Sequence, residues 1–87
     1  MLTKKVFGLI RHSMRPEQCR AARGWLDISQ AELAEAAGVS LSTVRDFEKG
    51  RRVPIGNNMM ALTKALEAQG ITLTETGING SLIDESA

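Results

Sequence analysis

The chain has 87 residues, enough for one small domain or one domain with a tail, and its 11 basic and 10 acidic residues leave a net charge of +1 that declares no partner. One Cys excludes an internal disulfide framework and a multi-cysteine zinc site; one His, two Phe, one Trp and no Tyr leave little for catalysis and no stacking platform for single strands. No apolar stretch approaches the ~18–20 residues of a membrane span, and the start lacks the apolar region and cleavage site of a signal peptide, so the cytosol is the expected compartment.

Residues 1–15 carry Lys4, Lys5, Arg11 and Arg15 and no acid, a +4 arm that reads as a solvated terminus able to touch phosphates. Within it, Val6–Ile10 is a candidate short strand. Pro16 and Glu17 suit the first turn of a helix. Cys19, Ala22 and Leu26 then recur at helical spacing, which predicts helix 1 over 16–26. Cys19 reads as a buried small hydrophobe and Trp25 as a partly buried packing residue. Ser29 and Glu32 make a capping box that opens helix 2 over 30–37, with Leu33, Ala34 and Ala37 inward. Gly38 stands where a left-handed residue ends a helix. Ser40 caps helix 3 over 41–49, which Gly50 ends. Residues 54–58, Pro-Ile-Gly-Asn-Asn, read as a loop, and helix 4 runs over 58–69 with Met59, Leu62 and Leu66 inward, stopping at Gly70. Beyond it Ile71-Thr-Leu73-Thr alternates with period two, Gly77 and Gly80 punctuate, and Ser81-Leu-Ile83 follows, which predicts a short strand or hairpin. Residues 57–87 set Lys64 against Glu67, Glu75, Asp84 and Glu85, a charge of −3 that DNA would repel. The expected organisation is a basic arm over 1–15, a helical domain over 16–70, and a β-segment with an acidic tail over 71–87; dimerisation is expected through that β-segment or the end of helix 4, and a protein partner through the C-terminal segment.

Two short helices joined by Gly38-Val39-Ser40 have the sequence form of a helix-turn-helix. That bend needs a small residue where the helices meet (Ala34), a glycine for a positive φ (Gly38) and a β-branched anchor (Val44). Their spacings are four and six residues. Crowding at the bend is expected to add to the strain of any substitution at Gly38.

The stretch from Gln30 to Arg51, QAELAEAAGVSLSTVRDFEKGR, resembles the helix-turn-helix of the Xre family, the lambdoid phage repressor and Cro type. The similarity extends back to Arg23 and forward through Pro54 to Leu66. It implies a mainly α, lambda-repressor-like bundle of four to five helices with DNA read by helix 3. It also implies that Arg23, seven residues before the glutamine, pairs with Glu48. Residues 16–23, Pro-Glu-Gln-Cys-Arg-Ala-Ala-Arg, are similar to the opening of small bacterial regulators that end in a short β-segment instead of a fifth helix. Asp27 stands where relatives often place glycine, so the turn between helices 1 and 2 is expected to differ.

At ~100° per residue, Val44 and Phe47 fall on one side of helix 3 with Glu48 at its margin, and Ser42, Arg45, Asp46 and Lys49 fall opposite. A buried face opposite a face rich in donors is what a major-groove reader needs. Arg45 can fork onto a guanine. Asp46 can accept from a cytosine amino group or orient Arg45. Leu41 can press a thymine methyl, and Ser40 and Ser42 can reach base edges or phosphates. Lys49, Arg51, Arg52 and Gln30, which opens helix 2 beside free amides, are phosphate candidates. The expected function is therefore a sequence-specific double-stranded-DNA-binding transcriptional regulator, a repressor acting as a homodimer. The alternatives are an antitoxin with the same domain, and a helix-turn-helix module used for protein interaction without DNA. No catalytic set, cofactor or metal site is expected.

Overall fold

The computed structural model describes residues 14–80. The Val6–Ile10 strand, the segment 81–83 and all but the last two residues of the basic arm lie outside that range. Four helices come first among the described residues: α1 (Pro16–Leu26), α2 (Gln30–Ala37), α3 (Leu41–Glu48) and α4 (Gly56–Ala68). A hairpin of β1 (Ile71–Leu73) and β2 (Ile78–Gly80) follows. The mainly helical bundle with a terminal β-segment is thus the fold expected from the residue pattern. Cys19 and Ala22 of α1, Leu33 and Ala34 of α2, Val44 and Phe47 of α3, and Met59, Leu62 and Leu66 of α4 build one core, joined by Met14 and Ile71.

Three helices end in the same way, and that repetition sets the angles between them. After α2, Gly38 is left-handed at φ 72°, its amide donates to the Glu35 carbonyl at 3.2 Å, and the Val39 amide donates to Ala34 at 3.0 Å. After α3, Gly50 at φ 75° donates to Phe47 at 2.9 Å, and Arg51 donates to Asp46 at 2.9 Å. Both are Schellman motifs, which satisfy the last helical carbonyls and turn the chain sharply. α1 closes with the same pair of bonds, Asp27 to Gly24 at 3.3 Å and Ile28 to Arg23 at 3.1 Å. Here the left-handed residue is Asp27 at φ 59°, the one non-glycine with positive φ among the described residues. The glycine of the relatives is absent, but the turn is kept, because an aspartate tolerates this conformation better than most residues.

Three boundaries differ from expectation, one of them the end of α4, at Ala68 with Gln69 as its C-cap. α3 ends at Glu48, with Lys49 as its C-cap, because the Schellman bonds take over there. α4 begins at Gly56, inside the expected loop, and the Met59 amide already donates to Ile55 at 3.0 Å. Gly56, Asn57 and Asn58 fill first-turn positions, where no amide has an intrahelical partner and poor helix formers cost less.

The hairpin pairs Ile71 with Gly80, Thr72 with Asn79 and Leu73 with Ile78. Gly80, the last residue of β2, is therefore paired opposite Ile71. A Cβ there would collide with the indole of Trp25, so the bare backbone lets that half-exposed ring lie flat against β2. The turn is held from α1. Gln18, buried at 6% exposure, donates from Nε2 to the carbonyls of Thr74 and Gly77, while its Oε1 accepts from the Arg15 amide at 2.8 Å. One side chain thus caps the start of α1 and clamps the hairpin.

The crowding expected at Gly38 is not found: a Cβ built there meets nothing within 4 Å. Only the backbone conformation demands glycine. Gly38→Val is therefore expected to cost about 1–2 kcal/mol from strain alone, while Asp27→Gly should stabilise by up to ~1 kcal/mol. Urea unfolding of both variants checks this, and midpoints equal to wild type in both would contradict the paired left-handed closures.

Candidate nucleic-acid interface

The interface is built around one buried charge. Glu48, at the last turn of α3, has a side chain only 2% exposed. Its Oε2 accepts from Arg23 Nε at 2.7 Å and from Cys19 Sγ at 3.1 Å. Its Oε1 accepts from Arg23 Nη2 at 2.7 Å and from Gln30 Nε2 at 2.9 Å. Four donors meet a carboxylate with about four lone-pair sites, so its capacity is filled. Arg23 binds bidentately, the strongest neutralising geometry available to a carboxylate, and its Nη1 also donates to the Ile28 carbonyl at 3.1 Å. The pairing of Arg23 with Glu48 that the family resemblance implies is present.

Each titratable member responds. Burial pushes the Glu48 carboxyl up, but the hydrogen bonds from Arg23, Gln30 and Cys19 outweigh it and hold its pKa below the usual value. The hydrogen bond to Glu48 raises Arg23. Burial, then the hydrogen bond to the Glu48 carboxylate, pushes the Cys19 thiol far up, so it stays a protonated donor. Cys19 is fully buried, as expected.

With Glu48, Val44 and Phe47 turned inward, α3 presents the opposite stripe to solvent. Val44, Phe47 and Glu48 are 0%, 2% and 4% exposed. Ser42, Arg45 and Lys49 are exposed, and Asp46 is half-buried between the two faces. Among the described residues Arg45 has no ion-pair partner. Past the helix, Arg51 and Arg52 are exposed, and both of their amides donate to the Asp46 carbonyl, at 2.9 and 3.4 Å.

The remaining candidates are placed less simply. Asp46 faces Arg51, not Arg45, at a loose 4.0 Å, an exposed contact worth no more than ~1 kcal/mol. Ser40 caps α3: its Oγ accepts from the Thr43 amide at 3.1 Å and lies 3.1 Å from Ser42 Oγ and 2.8 Å from Thr43 Oγ1. Leu41 is half-buried and packs against the core, leaving part of its side chain outward. Gln30 turns its carboxamide inward to Glu48, and the capping box of Ser29 with Glu32, at 2.8 and 3.0 Å, completes the start of α2. Arg20 of α1, which the sequence pattern did not single out, is exposed and donates from Nη1 to the Glu48 backbone carbonyl. It sets a cation on the negative end of α3, beside Lys49. Its spacing from Arg23 was the available signal, since both lie on one side of α1.

A family model described as helix-turn-helix matches residues 20–68, which is 49 of the 87 residues. The matched span holds Arg20, Arg23, Gln30 and Glu48 and stops before the hairpin. Over 51 residues the chain is 41% identical to repressor protein C2 of Salmonella phage P22. That stretch is 59% of this chain and 24% of the phage protein, so the chain spans about a quarter of the length of the relative it matches.

Removing Arg23 leaves Glu48 charged, buried and short of two bonds. Arg23→Met and Glu48→Met are each expected to cost about 3 kcal/mol or more, and the double variant less than the sum. Strict additivity would contradict the pair. The pH dependence has a definite sign. Glu48 titrates lower when folded than when unfolded, so its contribution is full above about pH 4.3 and is lost as pH falls through the folded value. Wild-type stability should therefore fall toward that of Glu48→Gln as the pH drops below ~4. Parallel curves for the two proteins would contradict the assignment.

Proposed function

This chain belongs to the helix-turn-helix family of the Xre and lambda-repressor type, and on that premise we propose that it is a sequence-specific double-stranded-DNA-binding transcriptional repressor. It acts as a homodimer and reads the major groove with α3. The observation that carries this reading is the division of α3 into a buried face anchored by Glu48 and a solvent face bearing Ser42, Arg45 and Lys49. Arg45, mid-helix and without an ion-pair partner among the described residues, supplies a fork for guanine O6 and N7. Ser42 and the exposed part of Leu41 lie at the end that enters the groove first, and Ser40 holds that end in helical form. Asp46 accepts from a cytosine amino group or holds Arg51. Lys49, Arg51 and Arg52 meet phosphates where the chain leaves the groove. The first-turn amides of α2, at Gln30 and Ala31, meet a phosphate on the other side.

One helix covers about 4–5 base pairs, so useful specificity needs two copies on two half-sites. The hairpin spends its apolar side chains internally: Ile71 is buried, and Leu73 and Ile78 pack on the core. Large exposed apolar side chains stand instead at Val53 and Ile55 in the segment after the basic loop and at Met60 early in α4, 76%, 70% and 51% exposed. We assign that surface, in preference to the C-terminal segment, to the second copy. The basic stripe weighs against a protein-interaction module without DNA.

Duplexes selected from a random pool are expected to be near-palindromic, with half-site centres ~34 Å apart. Arg45→Ala should cost about 1–3 kcal/mol on that site and little on random DNA. Lys49→Ala, Arg51→Ala or Arg52→Ala should weaken both alike and reduce the salt slope by about one. Arg45→Ala behaving like Arg52→Ala on both DNAs would contradict base reading by α3. Ile55→Asp should shift sedimentation toward the monomer and leave the fold intact; an unchanged oligomeric state would move the interface elsewhere.

A further inference from the structure

We infer that Gln30 is a positioning residue for the proposed DNA interface, fixing the first turn of α2 against the end of α3 through the Glu48 carboxylate. The inference rests on the DNA-binding reading and revises how one of its residues acts. A glutamine at the start of a helix, beside free amides, invites the reading of a side chain that touches phosphate directly. Its geometry here is different. The Gln30 carboxamide nitrogen is committed to Glu48 Oε1 at 2.9 Å, toward the protein. The acceptor is 2% exposed and already held by both prongs of Arg23, so it is a fixed point. Leaving that bond would return a buried carboxylate oxygen one donor short.

The same turn of α3 carries the other half of the interface. The Asp46 carbonyl accepts from the amides of Arg51 and Arg52, and Arg20 of α1 holds the Glu48 carbonyl. Glu48 is thus the joint between two phosphate-facing elements. On one side Gln30 ties down the amide end of α2. On the other, residues 46–48 carry the basic loop. The capping box occupies Ser29 and Glu32 with each other, so neither can substitute for Gln30 in crossing from α2 to α3. The distance between the two elements is what must match the spacing of phosphates across the groove.

The test uses Gln30→Met, which keeps length and removes the donor. Duplex affinity is measured well below the unfolding midpoint of each variant. Gln30→Met is expected to weaken binding about three- to tenfold, part of the worth of a hydrogen bond to a charged group, the rest being lost as stability of the free protein. In a Glu48→Met background, where no acceptor remains for Gln30, the same substitution should produce little further loss; losses that multiply would show that Gln30 contacts DNA on its own account and overturn the inference. The free protein gives a second arm that needs no Glu48 variant. Amide resonances of Glu48, Arg51 and Arg52 should move in Gln30→Met; shifts confined to the sequence neighbours of residue 30 would overturn the inference. An affinity equal to wild type would do the same. If wild type bound no duplex at low salt, the DNA-binding reading would fail, and the resonance shifts would still decide whether Gln30 couples α2 to α3.

Discussion

A carboxylate with almost no exposure to water has to be satisfied completely, and Glu48 obtains its four donors from two other helices. That requirement organises the rest. Apolar contacts among Leu33, Val44, Phe47 and Leu62 would tolerate small slides of one helix over another. The carboxylate would not, because each oxygen needs Arg23 and Cys19, or Arg23 and Gln30, within about 3 Å. A buried ion pair is poor evidence of net stability, since desolvation offsets much of the attraction. Its effect here is to make one arrangement of α1, α2 and α3 far better than its neighbours. Cys19 belongs to that device. Its thiol, pushed up by burial and by the facing carboxylate, remains a hydrogen-bond donor and is a poor nucleophile.

The turns supply the complementary constraint. α2 and α3 have eight residues each, too short to persist alone, and their ends are defined by caps more than by propensity. Serine caps open both, and Schellman bonds close both. The hairpin occupies the position where a fifth helix was the alternative. Gln18 and Trp25 of α1 hold it, the first by hydrogen bonds to its turn and the second by lying on Gly80. These two side chains account for a β-segment accompanying a first helix of this composition.

The elements that could be read from the residues were those set by local chemistry. The Ser29–Glu32 box, the stops at Gly38, Gly50 and Gly70, and the two faces of α3 each follow from spacing within a few positions. The Arg23–Glu48 pair spans 25 residues and came from family likeness, not from spacing. What escaped depends on distant partners. Gln18 reaches carbonyls 56 and 59 residues away, so nothing near it in the chain marks it as a clamp. Nothing near Gly80 in the chain shows that it must be bare, because the ring that lies on it is on α1. The start of α4 was placed late because Gly56, Asn57 and Asn58 are weak helix formers, yet first-turn positions tolerate them. Asp46 reads along the chain as a base acceptor or an orienter of Arg45, and only the closing turn after α3 brings Arg51 beside it.

On the proposed reading, Glu48 holds α3 so that its Arg45 face is free to enter the major groove. Amide-resonance mapping of the isotopically labelled chain during titration with its selected duplex tests this most directly. The expected result is a contiguous set of shifts over residues 40–52 and the first turn of α2, with α4 beyond its first turns and the hairpin unmoved. Shifts centred on the hairpin or on the last turns of α4, with residues 42, 45 and 49 silent, would contradict it.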